Sequence, residues 1–239
     1  MATLIQDLRF AVRTLLKQPG YSFVVILMLA LGIAANTAIF TLFNGLFLRP
    51  LPFPDPDRIV NLDERAPRWE LDYTGANYTD FHYWREENTT FEGMALWGGA
   101  AFNLSLDGEA ERVTGAIVTH DVAEVLGIQP ILGRDIAPED DVPDAPRVAL
   151  LGYDLWQNRF GGDPNLVGTT LHLDGEPFEI IGVLPEEALF VGEADLWTAF
   201  RYDVETNPFS WSYTGVGRLK AGVSIEQAQQ DLELSLIHI

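Results

Sequence analysis

The chain has 239 residues, no cysteine and a formal net charge of −20. An acidic excess of this size excludes a nucleic-acid-binding surface, because phosphate recognition depends on clustered Lys and Arg side chains. Without cysteine no disulfide can brace the fold, so a folded domain must depend on its apolar core.

An uninterrupted apolar stretch near the N-terminus is the most informative part of the sequence. Between Lys17 and Arg49 there is no charged residue. A helix needs about 20 apolar residues to cross a bilayer, so we predict a transmembrane helix over residues 21–48. A cleaved signal peptide is the competing interpretation, but its apolar region spans only about 7–15 residues and ends at a small-residue cleavage site. The length of the stretch favours an uncleaved anchor.

The charges on either side of this stretch predict its orientation. Residues 1–20 carry three basic side chains against a single acid, Asp7, and the positive-inside rule places such a segment in the cytoplasm. Residues beyond 48 carry 34 of the 35 acidic side chains and 12 of the 15 basic ones, a net charge of −22. We therefore expect the chain after about residue 49 to lie outside the cytoplasm.

The cytoplasmic segment, residues 1–20, predicts a short amphipathic helix. Apolar residues recur at helical spacing through most of it, and Thr3 and Gln6 have the spacing of a capping box. Pro19 and Gly20 should break this helix just before the span.

Small residues repeat every four positions within the predicted span, at Ala30, Ala34 and Ala38. This spacing lets a second helix approach closely. We therefore expect the span to pack in a bundle rather than stand alone in lipid.

A proline-rich connector follows, over residues 49–57. Pro50, Pro52 and Pro54 alternate with other residues, and each proline fixes its own backbone angle. The connector should therefore be extended and stiff.

The remaining part, residues 58–234, predicts a single outer domain. Two Asp-Gly pairs, at 107–108 and 174–175, lie between apolar alternations, which is the strongest short-range signal for a β-hairpin. Ser224 and Gln227 form a capping box that should open a final helix. Strands are expected over residues 58–63, 102–106, 112–118, 147–151, 170–173, 178–183 and 214–219, and helices over 77–88, 120–126, 153–160 and from 224. Strands and helices intermingle without a regular repeat, so the predicted fold class is α+β.

The sequence predicts no catalytic, cofactor-binding or metal-ligating residue. It contains no phosphate-binding glycine loop, nucleophile elbow or H-E-x-x-H spacing, and its four histidines are scattered. We attribute Gly215 and Gly217 to a turn or bulge within a strand. An acidic run with interleaved prolines is expected to be a solvated surface loop; it comprises Glu139, Asp140, Asp141 and Asp144.

Four blocks of the sequence resemble one known family. They read LALGIAANTAIFTLFNGLFLRPLPFPDPDRIV, NYTDFHYWREENTTFEGMA, GIQPILGRDIAPEDD and PRVALLGYDLWQNRFGGDPNLVGTTLHLDGEPFEIIGVLPE. The first is similar to the first membrane helix and linker of MacB/FtsX-type ABC transporter permeases, and the others to their periplasmic core domain. The likeness runs from about Leu4 to about Leu234.

This resemblance implies a fold, a location and partners. Family members have a cytoplasmic amphipathic helix, one span, and a periplasmic domain with a porter-like α+β part and a more β-rich part, followed by further spans. They lie in the bacterial inner membrane, where ATP-driven motion of the spans reshapes the periplasmic domains. The implied partners are an ABC-type ATPase in the cytoplasm, a second permease subunit or repeat that completes a dimer, the lipid bilayer and a periplasmic adaptor. No cofactor and no catalytic residue are implied.

The leading interpretation is therefore the N-terminal part of a permease for efflux or export. The alternative is a single-span anchored interaction or sensor protein whose outer domain binds a partner, and a third is a membrane-tethered hydrolase. Because the family continues with further spans, we expect residues 235–239 to be a truncation tail. The sequence predicts neither the transported substrate, nor the number of permease repeats, nor the identity of the ATPase.

Overall fold

The computed structural model describes residues 6, 9–10, 13, 15–43, 53–64, 74–106, 109–201 and 213–235. The chain divides into two compact units, Met1–Leu51 and Pro52–Ile239. Outside the described residues lie most of the predicted amphipathic helix with Thr3, residues 44–48 of the predicted span, residues 49–52 of the connector, the Asp107-Gly108 turn and residues 236–239 of the predicted tail.

The first unit is dominated by helix α1, Pro19–Phe43. A bend at Gln18 separates α1 from the helical residues before it, one residue before the Pro19-Gly20 pair at which the break was predicted. The helix begins two residues earlier than predicted because proline fits the first helical position, where no intrahelical N–H is needed. Residues Pro19–Thr41 are long and apolar enough to cross a membrane, and side chains such as Leu29 and Ile33 are exposed. An exposed surface this apolar suits lipid or another helix.

The second unit contains nine strands and four α-helices among its described residues. The strands are β1 Ile59–Leu62, β2 Phe91–Leu106, β3 Glu109–Val118, β4 Leu132–Gly133, β5 Val148–Leu151, β6 Thr170–Leu173, β7 Glu176–Val183, β8 Leu196–Ala199 and β9 Thr214–Leu219. The helices are α2 Tyr78–Glu87, α3 Val122–Leu126, α4 Tyr153–Phe160 and α5 Ile225–Ser235, and short 3-10 turns cover Pro56–Arg58, Pro138–Asp140, Pro164–Leu166 and Glu186–Phe190.

The long strand β2 joins two halves of this unit. Its N-terminal half pairs with β9, and β9 pairs in turn with β1. Its C-terminal half pairs with β3 and, at Leu104 and Ser105, with β6. From β3 the pairing continues through β8, β5 and β7 to β6, so six strands close into a ring. This division into an α+β half and a β-rich half confirms the predicted fold class.

Each half has its own apolar core. The ring encloses one core, formed by Leu104, Val113, Ala149, Leu151, Trp156, Leu171, Leu173, Phe178, Ile180, Val183 and Leu196. The second core lies between the β1–β9–β2 sheet and helices α2 and α5, and is formed by Leu62, Ala76, Phe81, Trp84, Phe91, Met94, Leu96, Leu219 and Ala228. Because the chain has no cysteine, these two apolar cores stabilise the domain without disulfide bonds.

Local sequence signals placed most elements correctly. Helix α4 and strand β9 have the predicted bounds, and α2 has Asn77 as its N-cap, whose side chain accepts from the Thr79 N–H. The Ser224 and Gln227 capping box is present at the start of α5. Strands β4 and β8 were not predicted, and β2 begins at Phe91 rather than at residue 102.

The sequence predicted a turn or bulge at Gly215 and Gly217 of β9, and this prediction is wrong. Both Gly215 and Gly217 pair regularly with β1 and β2, and the register shift lies in β2 instead, between Phe91 and Gly93. A Cβ at Gly217 would lie 2.5 Å from the Phe91 ring. The glycine therefore leaves room for an aromatic side chain of the core rather than making a turn.

Candidate functional site

The described end of the proline-rich connector is fixed against the outer domain. Phe53 is buried with 6% of its surface exposed. The next residue, Pro54, packs against Gly127, the C-cap of α3, whose φ of +71° is left-handed. A Cβ placed on Gly127 would lie 2.9 Å from Pro54 Cδ and Cγ, so only glycine suits both the backbone angle and the contact.

Arg218 of β9 holds the same connector residue by its carbonyl. Its Nη1 donates to Pro54 O at 2.9 Å, and its Nε donates to Val125 O in helix α3 at 2.8 Å. Carbonyls in the last turn of a helix lack intrahelical donors and carry the negative end of its dipole, so a guanidinium is well placed there. Nη2 is buried with no hydrogen-bond partner among the described residues. One buried cation thus joins a strand, a helix and the connector; we call these residues, Pro54, Gly127, Val125 and Arg218, the connector clamp.

Arg58 adds a second attachment at the end of the connector. Its Nε and Nη2 donate to Leu219 O at 2.8 and 2.6 Å, and Nη2 also pairs with the carboxylate of Glu92. The Arg58 side chain is 27% exposed and that of Glu92 45% exposed, so solvent weakens this ion pair. The two backbone-directed bonds carry more of the attachment.

Strand β1, which follows the connector, lies beside strand β9, which precedes helix α5. In the antiparallel pair of β1 and β9, Ile59 is opposite Arg218. Helix α5, after β9, is fixed in turn by Asp231, whose carboxylate accepts from the N–H and hydroxyl groups of Thr89 and Thr90. Burial raises the pKa of Asp231, but these hydrogen bonds outweigh burial and lower it overall. The connector is therefore bonded to β9, and helix α5 is bonded to the residues just before β2, a neighbouring strand of the same sheet.

A histidine-centred ion network ties the two halves together elsewhere. His120 Nε2 lies 2.6 Å from Asp121 Oδ1, and its Nδ1 lies 3.1 Å from Asp141 Oδ2. Asp121 also pairs with Arg85 of α2 at 2.9 Å, and Asp141 accepts from the backbone N–H of Arg201 at 2.8 Å. Hydrogen bonds to the two aspartates raise the pKa of His120 to about 9. The imidazole is therefore charged at neutral pH.

This network corrects the predicted solvated acidic loop. Glu139 and Asp144 are exposed, as expected, but Asp140 is only 6% exposed and accepts from Arg134 and from the Ala137 N–H. Burial raises the pKa of Asp140, yet these bonds lower it below its usual value. Asp141 is committed to the network around His120. The run is thus an ordered loop with two bonded carboxylates.

The functional residues of the clamp were not predicted from the sequence. Of the connector prolines, Pro54 is part of the clamp, while Pro50 and Pro52 lie outside the described residues. Arg218 offered one signal, the only charge in a strand that otherwise contains apolar residues, two glycines and Thr214. No local pattern could indicate that its partner is a carbonyl 164 residues earlier in the chain.

Comparison with known proteins places this geometry in a family. The model of the MacB-like periplasmic core domain matches residues 22–234. The chain belongs to the MacB-like periplasmic core domain family. It therefore carries the periplasmic core domain of an ABC transporter permease.

Three solved structures are similar to this chain in fold. The periplasmic region of MacB from Actinobacillus actinomycetemcomitans matches with a TM-score of 0.55 and 17% identity, over 75% of this chain and 82% of that one. A domain of a Porphyromonas gingivalis protein described as a permease matches with a TM-score of 0.60 and 19% identity, over 78% and 83%. The extracellular domain of the ABC-type transporter YknZ from Gram-positive bacteria matches with a TM-score of 0.52 and 13% identity, over 72% and 88%.

One curated relative is similar over a shorter stretch. The pyoverdine export ATP-binding/permease protein PvdT of Pseudomonas syringae pv. syringae is 32% identical over 66 residues, which is 28% of this chain. The matched stretch spans 10% of the length of that relative.

Proposed function

We propose that this chain is the N-terminal part of a MacB/FtsX-type permease and passes ATP-driven helix motion to its outer domain for efflux or export. In this proposal residues 1–20 are cytoplasmic, α1 crosses the bacterial inner membrane, and the chain after about residue 49 is periplasmic. The family match, the apolar helix α1 and the charge difference across it support this arrangement.

The connector clamp is the observation that carries the proposal. Motion of a membrane helix can do work on an outer domain only if the joint between them resists bending. The alternating prolines restrict the connector backbone, and Arg218, with Gly127, fixes its described end to a strand and a helix of the domain. A flexible joint would need neither feature.

The proposed partners are those of a permease. An ABC-type ATPase would act on the cytoplasmic side, and a second permease subunit or repeat would complete a dimer within the bilayer. The exposed α1 surface with Ala30, Ala34 and Ala38 supports close contact with another helix. A periplasmic adaptor would contact the outer domain.

Coupling is tested by separating ATP turnover from the response of the outer domain. The permease that contains this chain is reconstituted in nanodiscs with its ATPase, and nucleotide-dependent hydrogen exchange is measured over residues 53–235. We expect R218M, and a triple replacement of Pro50, Pro52 and Pro54 by glycine, to retain ATP hydrolysis but lose most of the nucleotide-dependent change.

R159M is the matched control, because Arg159 pairs with Glu111 on the β-rich half, away from the connector. It should respond as the wild type does. If R218M and the triple variant show the wild-type change in exchange, the clamp does not transmit motion and the proposal of coupling fails.

The proposed topology has its own test. Protease added to intact spheroplasts should remove the domain after residue 49 and leave a membrane-bound fragment that contains residues 1–43. Protection of the whole domain until the membrane is permeabilised would overturn the topology.

A further inference from the structure

A large groove opens beside the second core. It lies between strand β1 and helices α2 and α5, and has a volume of about 590 Å³. This is within the range of roughly 300–1,000 Å³ that is typical of small-molecule sites. Its apolar wall includes Val60, Trp84, Ile225 and Leu232, and Ile225 remains 60% exposed at its edge.

The polar part of the groove carries a single sign of charge. Four carboxylates line it, and the described lining residues include no Lys, Arg or His. They are Asp63, Glu64, Asp80 and Glu233. Residues 65–73, which follow Glu64 in the chain and lie outside the described residues, contain two arginines and two acids and so carry no net charge. Acidic groups around an apolar wall are complementary to a ligand that is both apolar and cationic.

Two of these carboxylates are in direct contact. Asp80, at the start of α2, shares a hydrogen bond with Glu64, and burial raises the pKa of Asp80. Glu64 also accepts from the backbone N–H of Asn77. A positive charge placed next to this pair would favour the ionised form of both carboxyl groups.

Trp84 is an independent sign of a ligand site. Its side chain belongs to the groove wall, only 3% of the residue is exposed, and its Nε1 has no hydrogen-bond partner among the described residues. Because an ammonium ion has no acceptor for this N–H, what Trp84 offers to a cationic ligand is its ring. The indole face is also the best aromatic surface for a cation.

We propose that this groove binds a small apolar cation, such as an aryl or alkyl amine or a quaternary ammonium ion. The apolar body of the ligand packs against Trp84, Ile225 and Leu232, and its positive charge faces the Asp80–Glu64 pair. Binding does not require ATP or a partner subunit, so it stands apart from the coupling proposed above.

Ethidium is a suitable probe, because it is a planar aromatic cation whose fluorescence rises when it leaves water. The full chain in nanodiscs of zwitterionic lipid is titrated with ethidium, with empty nanodiscs as the blank and the anion anilinonaphthalene sulfonate as a probe of opposite charge. We expect saturable ethidium binding, no comparable binding of the anion, and affinity that falls as salt rises.

Two variants test the charge and the indole separately. The double variant E64Q/D80N keeps an oxygen at position 64 that can accept from the Asn77 N–H but removes both carboxyl groups, and should weaken ethidium binding by about tenfold or more. W84F keeps an aromatic ring but removes the larger indole face, which attracts a cation more strongly than a phenyl ring does, and should weaken binding several-fold.

The matched control for charge is E186Q/E187Q, which removes two exposed carboxylates from another part of the domain and should leave affinity unchanged. If near-ultraviolet circular dichroism shows that E64Q/D80N does not fold, E233Q takes its place. Glu233 is an exposed residue of α5, and we expect this variant to lose less ethidium affinity. Absence of saturable binding to the wild type, or equal affinity in the groove variants and the control, overturns the proposal.

Discussion

Arg218 donates a hydrogen bond to the carbonyl of Pro54 across 2.9 Å, although 164 residues separate them in the chain. Through this contact, strand β9 holds the connector, which follows the predicted transmembrane helix in the chain. Because β9 also pairs with β1 and β2, displacement of Pro54 has to displace the sheet or break the bond. The connector and the outer domain are therefore expected to move together.

The contact between Pro54 and Gly127 predicts a position-specific cost of alanine. G127A has to adopt a left-handed backbone and displace the proline ring, whereas G161A, at φ +64° with nothing within 4 Å, pays only the backbone strain. We expect G161A to lower the free energy of unfolding by about 1 kcal/mol and G127A by about 1–2 kcal/mol more. Urea unfolding followed by near-ultraviolet circular dichroism measures both. Equal losses would show that the Pro54 contact adds nothing.

Replacing Arg218 should destabilise the domain more than replacing a surface arginine. R218M leaves the carbonyls of Pro54 and Val125 without their charged donor, and we expect a loss of about 2–4 kcal/mol. R159M removes an ion pair with Glu111 whose side chains are 43% and 54% exposed, and should cost less than about 1 kcal/mol. The same urea experiment compares the two variants. A small loss of unfolding free energy for R218M would mean that the hydrogen bonds from Arg218 to Pro54 and Val125 contribute little to stability.

The ion network predicts that stability falls at alkaline pH. The pKa of His120 is about 9 in the folded chain, above about 6.5 in the unfolded chain. The stabilisation is therefore fully present below about pH 6.5 and is lost as the pH rises through about 9. We expect the loss between pH 6.5 and 9.5 to be about 1–2 kcal/mol, since solvent screens part of the interaction.

Thermal unfolding across this pH range, with variants H120Q and H82Q, isolates the effect. H120Q should flatten the alkaline fall, while H82Q should not, because His82 is 46% exposed and pairs only with Glu86 of its own helix among the described contacts. An alkaline fall that persists in H120Q would assign it to another group.

The attachment of the last helix depends on one carboxylate. D231A removes the acceptor for four hydrogen-bond donors of Thr89 and Thr90 and should speed hydrogen exchange throughout Ile225–Ser235. E233A removes an exposed acid of the same helix and should have a much smaller effect. Similar exchange in the two variants would mean that packing alone holds α5.

The sequence was sufficient for elements that depend on neighbouring residues. Helix α4 ends at Gly161 because glycine readily adopts the left-handed conformation of a C-cap. The Asp174-Gly175 pair likewise predicts the turn between β6 and β7. Such signals operate within one or two turns of chain, so a single sequence reveals them.

Features that depend on distant pairing were not predictable. Strand β8 is a short buried segment. Its place between β3 and β5 depends on partners 81 and 49 residues earlier in the pairs Gly115 with Leu196 and Ala149 with Thr198. The closure of six strands into a ring, the clamp at Arg218 and the network around His120 likewise arise only after folding. An apolar run or a lone charge carries no information about which distant group will meet it.

The most direct test of the account is the distance between the connector and helix α3 during the ATPase cycle. The chain has no cysteine, so D55C and E124C can be spin-labelled specifically, and both positions are exposed. In the reconstituted transporter we predict one narrow distance distribution that is the same with and without ATP, and a broader one when R218M is added. A wild-type distribution that is broad, or that shifts with nucleotide, would contradict the conclusion that the connector and the outer domain move as one body.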